Sequence, residues 1–275
     1  GNIVYGLTRS PETFSRAELS GITAITGDLD HVESLPALPL QNAIVYYLAP
    51  PPRQGHCDTR MTNFLAAAAA PPAALVYIST TGVYGNTRGA WVTENSPVNP
   101  QQDRSRRRHH AETQISTWAN DEKTCHTVVL RVGGIYGPGK LPLARLQKGE
   151  PMVDDLANPS WVNVIHVDDL VTTCRTAARK GPPFAIYNVC DGHPLSMMAY
   201  FQTIANLAGL PPPPPLSLDE GKQHLSPEMY SYIAESRRID TTKLRTELAP
   251  TLRYTNLSDG VRAALQEEDA RKNTG

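Results

Sequence analysis

Cysteine is scarce: four residues in 275, scattered, with no Cys-x-x-Cys pair for a redox or zinc site. Cys57, Cys125, Cys174 and Cys190 suit a reducing compartment and buried packing, and no metal is expected. Net charge is almost absent too, and the formal value of −1 argues against a general electrostatic affinity for nucleic acid or membranes. No apolar run approaches the roughly 20 residues needed to span a bilayer. No charged-then-apolar signal segment opens the sequence as given, and there is no internal repeat. The expectation is a cytoplasmic protein with a small-molecule substrate, no nucleic-acid or membrane partner, and a homodimer left open.

What is present alternates. Apolar, β-branched segments are read as strands over 2–8, 22–28, 43–48, 73–79, 127–132 and 184–189, with a short one over 161–166. Helical patterns fill 58–70, 103–119, 168–180, 196–208 and 258–267, with Asp168 and Ser196 as candidate amino-terminal caps. Strands alternating with helices predict an α/β fold, a parallel sheet covered on both faces. Pro211–Pro215 is read as a polyproline spacer or surface loop. The length allows one large α/β core plus a smaller lobe.

The run Ala73–Ile78 ends abruptly in Ser79-Thr80-Thr81-Gly82-Val83-Tyr84-Gly85. A buried parallel strand delivers hydroxyls in this way to the carboxyl edge of a sheet, where α/β proteins keep their ligands. The segment resembles the strand end of the extended short-chain dehydrogenase/reductases, the NAD(P)-dependent epimerase/dehydratase family. Leu130–Gly139, with Arg131, Gly133, Gly134 and Tyr136-Gly137-Pro138, and Trp161–Leu170 resemble further segments of the same family, as do Tyr187–Gly192 and Ser236–Asp240. The resemblance implies a Rossmann-type, doubly wound parallel sheet over 1–137 and 161–190, and a substrate lobe over 138–160 and 191–275. It places Thr80 at the reacting group, and Thr81, Gly134 and Tyr136 along the substrate. His166, on an apolar strand, is read as structural, and Asp169 as a buttress for a helix start.

Glycine is missing where such a fold uses it. Asn2–Thr8 and Ile22–Asp28 are spaced like the second and third strands of a Rossmann sheet, yet no Gly-x-x-Gly-x-x-Gly segment seats a pyrophosphate. The expectation is that a first βα unit, about 30 residues with its turn, is missing from the record, so that the two halves of the sheet lack a shared neighbour. Arg9 and Ser10, at the end of the strand that meets the adenosine ribose, suit a 2′-phosphate, which favours NADP over NAD. Asp28 and Leu29 match the family's adenine-contacting pair. Leu48, Ala49 and Pro50 occupy the loop that lines ribose and nicotinamide.

The family's catalytic Tyr-x-x-x-Lys is also absent. Counting back from Ala111-Glu112 puts Arg104 at the tyrosine position and Arg108 at the lysine position. Arginine stays protonated at any useful pH and cannot serve as the acid–base group. Spaced four apart, the two share a helix face, can point into the cleft together and would attract phosphate or carboxylate. His109 and His110 are weak replacements. The resemblance is closest to the atypical branch, in which the tyrosine is often lost. It implies an NADP-preferring oxidoreductase or epimerase/dehydratase-like enzyme acting on a small hydroxyl, carbonyl or nucleotide-sugar-type compound. Thr80 would orient the reacting oxygen, and Arg108 would hold the ribose or the substrate. A non-catalytic dinucleotide-binding sensor or scaffold is the alternative.

Overall fold

The computed structural model describes residues 2–10, 12, 21–121, 125–180 and 182–273. Six strands carry the core: β1 Tyr5–Thr8, β2 Thr23–Thr26, β3 Ile44–Tyr47, β4 Ala74–Thr80, β5 His126–Val132 and β6 Phe184–Val189. The helices are α1 Thr59–Ala67, α2 Asp103–Asp121, α3 Leu143–Gln147, α4 Val167–Ala177, α5 Met197–Ala208, α6 Leu218–His224, α7 Pro227–Ile233 and α8 Leu257–Asn273.

Side-chain alternation sets the layers. In β4 and β5, Val76, Val128, Leu130 and Val132 face α4 and the Leu244–Leu248 turn. Leu75, Tyr77 and Val129 face α1 and α2 through Met61, Phe64, Ala111 and Ile115. Both faces are apolar because both are covered, which is why these strands read as continuous hydrophobic runs. The order β6–β5–β4–β3 is parallel throughout. β1 and β2 form a separate parallel pair, and among the described residues no ladder joins β1 to β3. Apolar side chains stand exposed on both edges, among them Tyr5 and Leu7 on β1 and Ile44 and Tyr46 on β3.

The remaining chain builds a lobe around Leu146, Met152, Met198, Phe201, Ile204 and Val261. Two expectations need correction here. The segment 161–166 is not one strand: it breaks at Asn163 into Trp161–Val162, antiparallel to Leu195–Ser196, and Val164–His166, parallel to Gly134–Tyr136. Asn163 turns inward to donate to the Arg237 carbonyl and accept from the Ile239 amide, which prevents a continuous ladder. The proline run is not wholly loop either, since Pro215–Leu216 pairs with Met152–Val153. Ser196 caps α5 as expected, accepting from the Ala199 amide. Asp168 does not cap α4. His166 does, its Nδ1 accepting from the Asp168 amide at 3.2 Å, because the helix begins one residue earlier.

Candidate active site

A cavity of about 330 Å³ opens at the carboxyl ends of β1, β2 and β3, lined among others by Thr8, Arg9, Asp28, Leu29, Ala49 and Arg60. Parallel strands end on one edge of a sheet, so residues far apart in sequence meet there. Ser10, Gly27 and Pro50 also reach this cavity, whereas Leu48 does not: it projects outward and is 64% exposed.

Arg60 lines this cavity and pairs with Asp30, and the sequence did not single out either residue. Arg60 grips both Asp30 oxygens at 2.6 Å and donates to the Pro50 carbonyl at 2.9 Å. Arg9 lies 3.6 Å from the same carboxylate and remains largely exposed. The hydrogen bond from Arg60 holds the Asp30 carboxyl below its ordinary pKa. Two guanidiniums thus share one carboxylate, and a second acidic side chain, Asp28, lines the same cavity beside apolar Leu7, Leu29 and Pro50.

Thr80 ends β4 and caps the turn Thr81–Tyr84, its Oγ1 accepting from the Gly82 amide at 3.1 Å. The hydroxyl proton stays available for a ligand oxygen. Thr81 is buried in that turn. Arg108 spans the neighbouring strand ends, its Nη1 donating to the Ile78 carbonyl at 2.9 Å, the Tyr77 hydroxyl at 3.3 Å and the Ala49 carbonyl at 3.5 Å. Arg104 does not follow it to the strand ends. It donates to Ser231 Oγ at 2.9 Å and stacks 4.1 Å above the Tyr232 ring, both on α7. One helical turn of separation gives them different partners, the lobe for Arg104 and the strand ends for Arg108. His110 is occupied elsewhere, against the Asp58 amide and Gln114.

Beneath Thr80 lies a buried network. Glu112 accepts from Ser79 Oγ and takes a forked contact from Arg131, with Nη2 at 2.7 Å. Arg131 also donates to the Tyr84 hydroxyl at 3.0 Å, and that hydroxyl donates to Asn188 at 2.7 Å. Every member finds a partner, so the strand ends of β4, β5 and β6 are locked together. The Ala-Glu and Arg landmarks of the sequence therefore do structural work, holding the platform on which Thr80 sits.

Tyr136, read above as lining the substrate, is instead fully buried. It packs edge-on to His166 at 5.2 Å, and Gly260 of α8 passes so close that a Cβ there would lie 2.1 Å from its hydroxyl. Gly134 is exposed and pairs with Val164. The glycine demand falls on Gly133, where a Cβ would meet the Asn163 carbonyl at 2.4 Å. A packed backbone, not a ligand, requires that residue. Among the described residues no metal-binding cluster is found, and no helix is long and apolar enough to cross a membrane.

A sequence model of the NAD dependent epimerase/dehydratase family matches residues 2–190. The chain belongs to that family. A functionally unknown conserved protein from Silicibacter pomeroyi DSS is 29% identical, with 96% of this chain and 90% of that one covered and a TM-score of 0.78. MoeE5, solved in complex with UDP-glucose and NAD, is 20% identical over the full length of both chains, with a TM-score of 0.72. UDP-glucuronic acid 4-epimerase from Bacillus cereus, solved with NAD, is 17% identical, covers 98% and 90% of the two chains and has a TM-score of 0.71. The last two likenesses establish the Rossmann-type fold. No curated protein matches the chain.

Proposed function

We propose that the protein is an NADP-preferring oxidoreductase or epimerase/dehydratase-like enzyme acting on a small hydroxyl, carbonyl or nucleotide-sugar-type substrate. The observation that carries the reading is the cavity uniting Arg9, Ser10, Asp28, Leu29, Ala49 and Pro50 at the strand ends, with Thr80 ending the adjoining strand β4 and Arg108 reaching that strand from α2. Its residues fit the adenosine end of a dinucleotide: apolar walls for a flat base, acceptors at Asp28, and the largely exposed Arg9 guanidinium for a 2′-phosphate. The described residues supply no glycine-rich cradle for the pyrophosphate. When bound, the nicotinamide ring supplies hydride transfer to or from a carbon bearing oxygen. Thr80 donates its hydroxyl to that oxygen and fixes its position. Arg108, clamped between β3 and β4, holds ribose hydroxyls or the substrate from the opposite side. Neither arginine exchanges a proton, so their work is positioning and charge rather than acid–base chemistry.

Fluorescence titration with NADPH and NADH tests this directly. Saturable binding is expected, tighter for NADPH, and Arg9→Ala should weaken NADPH about tenfold while hardly changing NADH. Absence of saturable binding of either dinucleotide would defeat the reading. The tie of Arg104 to α7 favours one second reading, a dinucleotide-binding sensor without chemistry, because the catalytic position is spent on a lobe contact. Binding with no turnover across aldehydes, ketones and nucleotide sugars would favour the sensor.

A further inference from the structure

The end of α4 lies away from the site described above. Its Ala177 carbonyl accepts from His126 Nε2 at 2.8 Å, and His126 opens β5, so this helix ends at the amino edge of the sheet. Thr80 and the Arg9 cavity occupy the carboxyl edge, a strand length or roughly 20 Å away. A second cavity, of about 310 Å³, opens beside α4. Three cations line it, Arg175, Arg179 and Lys180, with the hydroxyls of Thr172, Thr176 and Thr251 and the methyl of Ala249. No acidic side chain is among them, in a chain that has 26 basic and 27 acidic residues.

Helical spacing and packing build this recess. Thr172, Arg175, Thr176 and Arg179 recur at three and four residues and so share one face of α4, while Leu170, Cys174 and Ala177 bury the other. The far wall follows the Leu244–Leu248 turn. Leu244 and Leu248 join the same apolar cluster as Cys174, Ala177 and Ala178, which fixes wall and helix together. Ala249 closes that turn at φ 46°, its amide donating to the Leu244 carbonyl at 2.9 Å, and the chain returns to the recess at Thr251.

Basic side chains near a helix carboxyl terminus commonly serve its last carbonyls. Here those carbonyls are already taken: Cys174 and Thr176 accept from the Ala178, Arg179 and Lys180 amides, and Ala177 accepts from His126. Arg175 and Arg179 also stand four apart, a like-charge spacing that weakens a helix. A single surface arginine needs no ligand. Three cations around one fixed recess repel one another, and an anion between them offsets that repulsion.

We propose that this recess binds a phosphate group, as the free ion or as the end of a small phosphomonoester, at a site separate from the Thr80 cleft. The two guanidinium forks match pairs of phosphate oxygens, Lys180 adds a point charge, and the threonine hydroxyls supply further donors. The volume is about ten times a water's share of the liquid, which leaves room beyond the phosphate for a sugar. The inference stands on this recess alone and holds whether or not the Arg9 cavity takes a dinucleotide.

Proton–nitrogen correlation NMR on the full chain tests it, with inorganic phosphate and ribose 5-phosphate as probes at constant ionic strength. Both should move the Thr176, Lys180, Ala249 and Thr251 amide signals saturably. Arg175→Gln and Arg179→Gln should each weaken binding about tenfold, the loss of one charge-assisted contact, and the double variant should remove it. Both side chains are exposed, so the variants should keep the parental Tm. Arg9→Ala, at the other edge of the sheet, should leave the phosphate-induced shifts unchanged. Tighter binding of ribose 5-phosphate assigns the site to esters, and equal binding assigns it to the free ion. The proposal fails if the shifts do not saturate, if chloride reproduces them, or if the double variant keeps the parental affinity. NADPH titration of the same samples reports on the other cavity, and its failure would defeat the cofactor reading alone.

Discussion

Asp191 carries a buried Oδ2 that meets no hydrogen-bond donor, while Oδ1 accepts from the His193 amide at 2.9 Å. Burial pushes its pKa up to about 7, with the like charge of Asp169 adding to the effect. An unfolded aspartate loses its proton near the ordinary 3.8. Between that value and about 7 the folded chain holds a proton the unfolded chain lacks, so stability falls as pH rises, by up to about 1.4 kcal/mol per pH unit. His166, whose pKa burial lowers below 6.5, contributes a slope of the opposite sign below that value. Urea unfolding followed from about pH 4 to about pH 7 should show Asp191→Asn gaining on the parent as pH rises. A pH-independent difference would mean that this carboxyl does not titrate in the window. Single residues also show the limit of motif reading. The spacing of Leu130–Gly139 located Tyr136 in the chain, but Gly260, far away in sequence, decided that its ring is enclosed.

At the level of elements, the two sets of strands differ in how they are held. β4 and β5 each have a hydrogen-bonded neighbour on both sides, whereas among the described residues β1 and β2 pair only with each other, and β1 presents Tyr5 and Leu7 to solvent. A two-stranded pair has little independent stability. Amide hydrogen exchange should therefore protect Leu75–Tyr77 and Val128–Leu130 strongly and Tyr5–Thr8 weakly, with exchange in the latter proceeding by local opening. Equal protection in both sets would contradict this account. Strand existence was legible because parallel, doubly covered strands read as apolar β-branched runs. The short Trp91–Val92, Arg238–Ile239 and Met152–Val153 strands were not, since two residues carry no periodicity.

Across the whole molecule, the lobe and the core are joined by Asp169. Its carboxylate accepts from the backbone amides of Arg253 at 2.7 Å and Tyr254 at 2.8 Å, fastening the segment that leads into α8. Sequence reading made Asp169 a local buttress, but its partners lie 84 and 85 residues away. Asp169→Ala should leave two amides unsatisfied and destabilise the fold by about 2–5 kcal/mol. A calorimetric scan would register this as a fall in Tm together with earlier proteolysis of the α8 region. An unchanged Tm would show that α8 is held by its apolar face alone.

Local chemistry made the fold class and the Thr80 strand end readable in advance, and the family resemblance pointed to Arg9, Asp28, Leu29 and Ala49, which line one cavity. Hydrophobic periodicity reports burial, and the ends of parallel strands must meet on one edge. The resemblance to the family put Arg104 and Arg108 at the tyrosine and lysine positions, where side-chain identity rules out proton transfer by arginine. The tertiary structure decided the rest: Asp30 with Arg60, Arg104 with Ser231, the enclosure of Tyr136 and the reach of Asp169. These contacts join residues with no shared period, and only chain packing chooses between a solvated charge and a paired one.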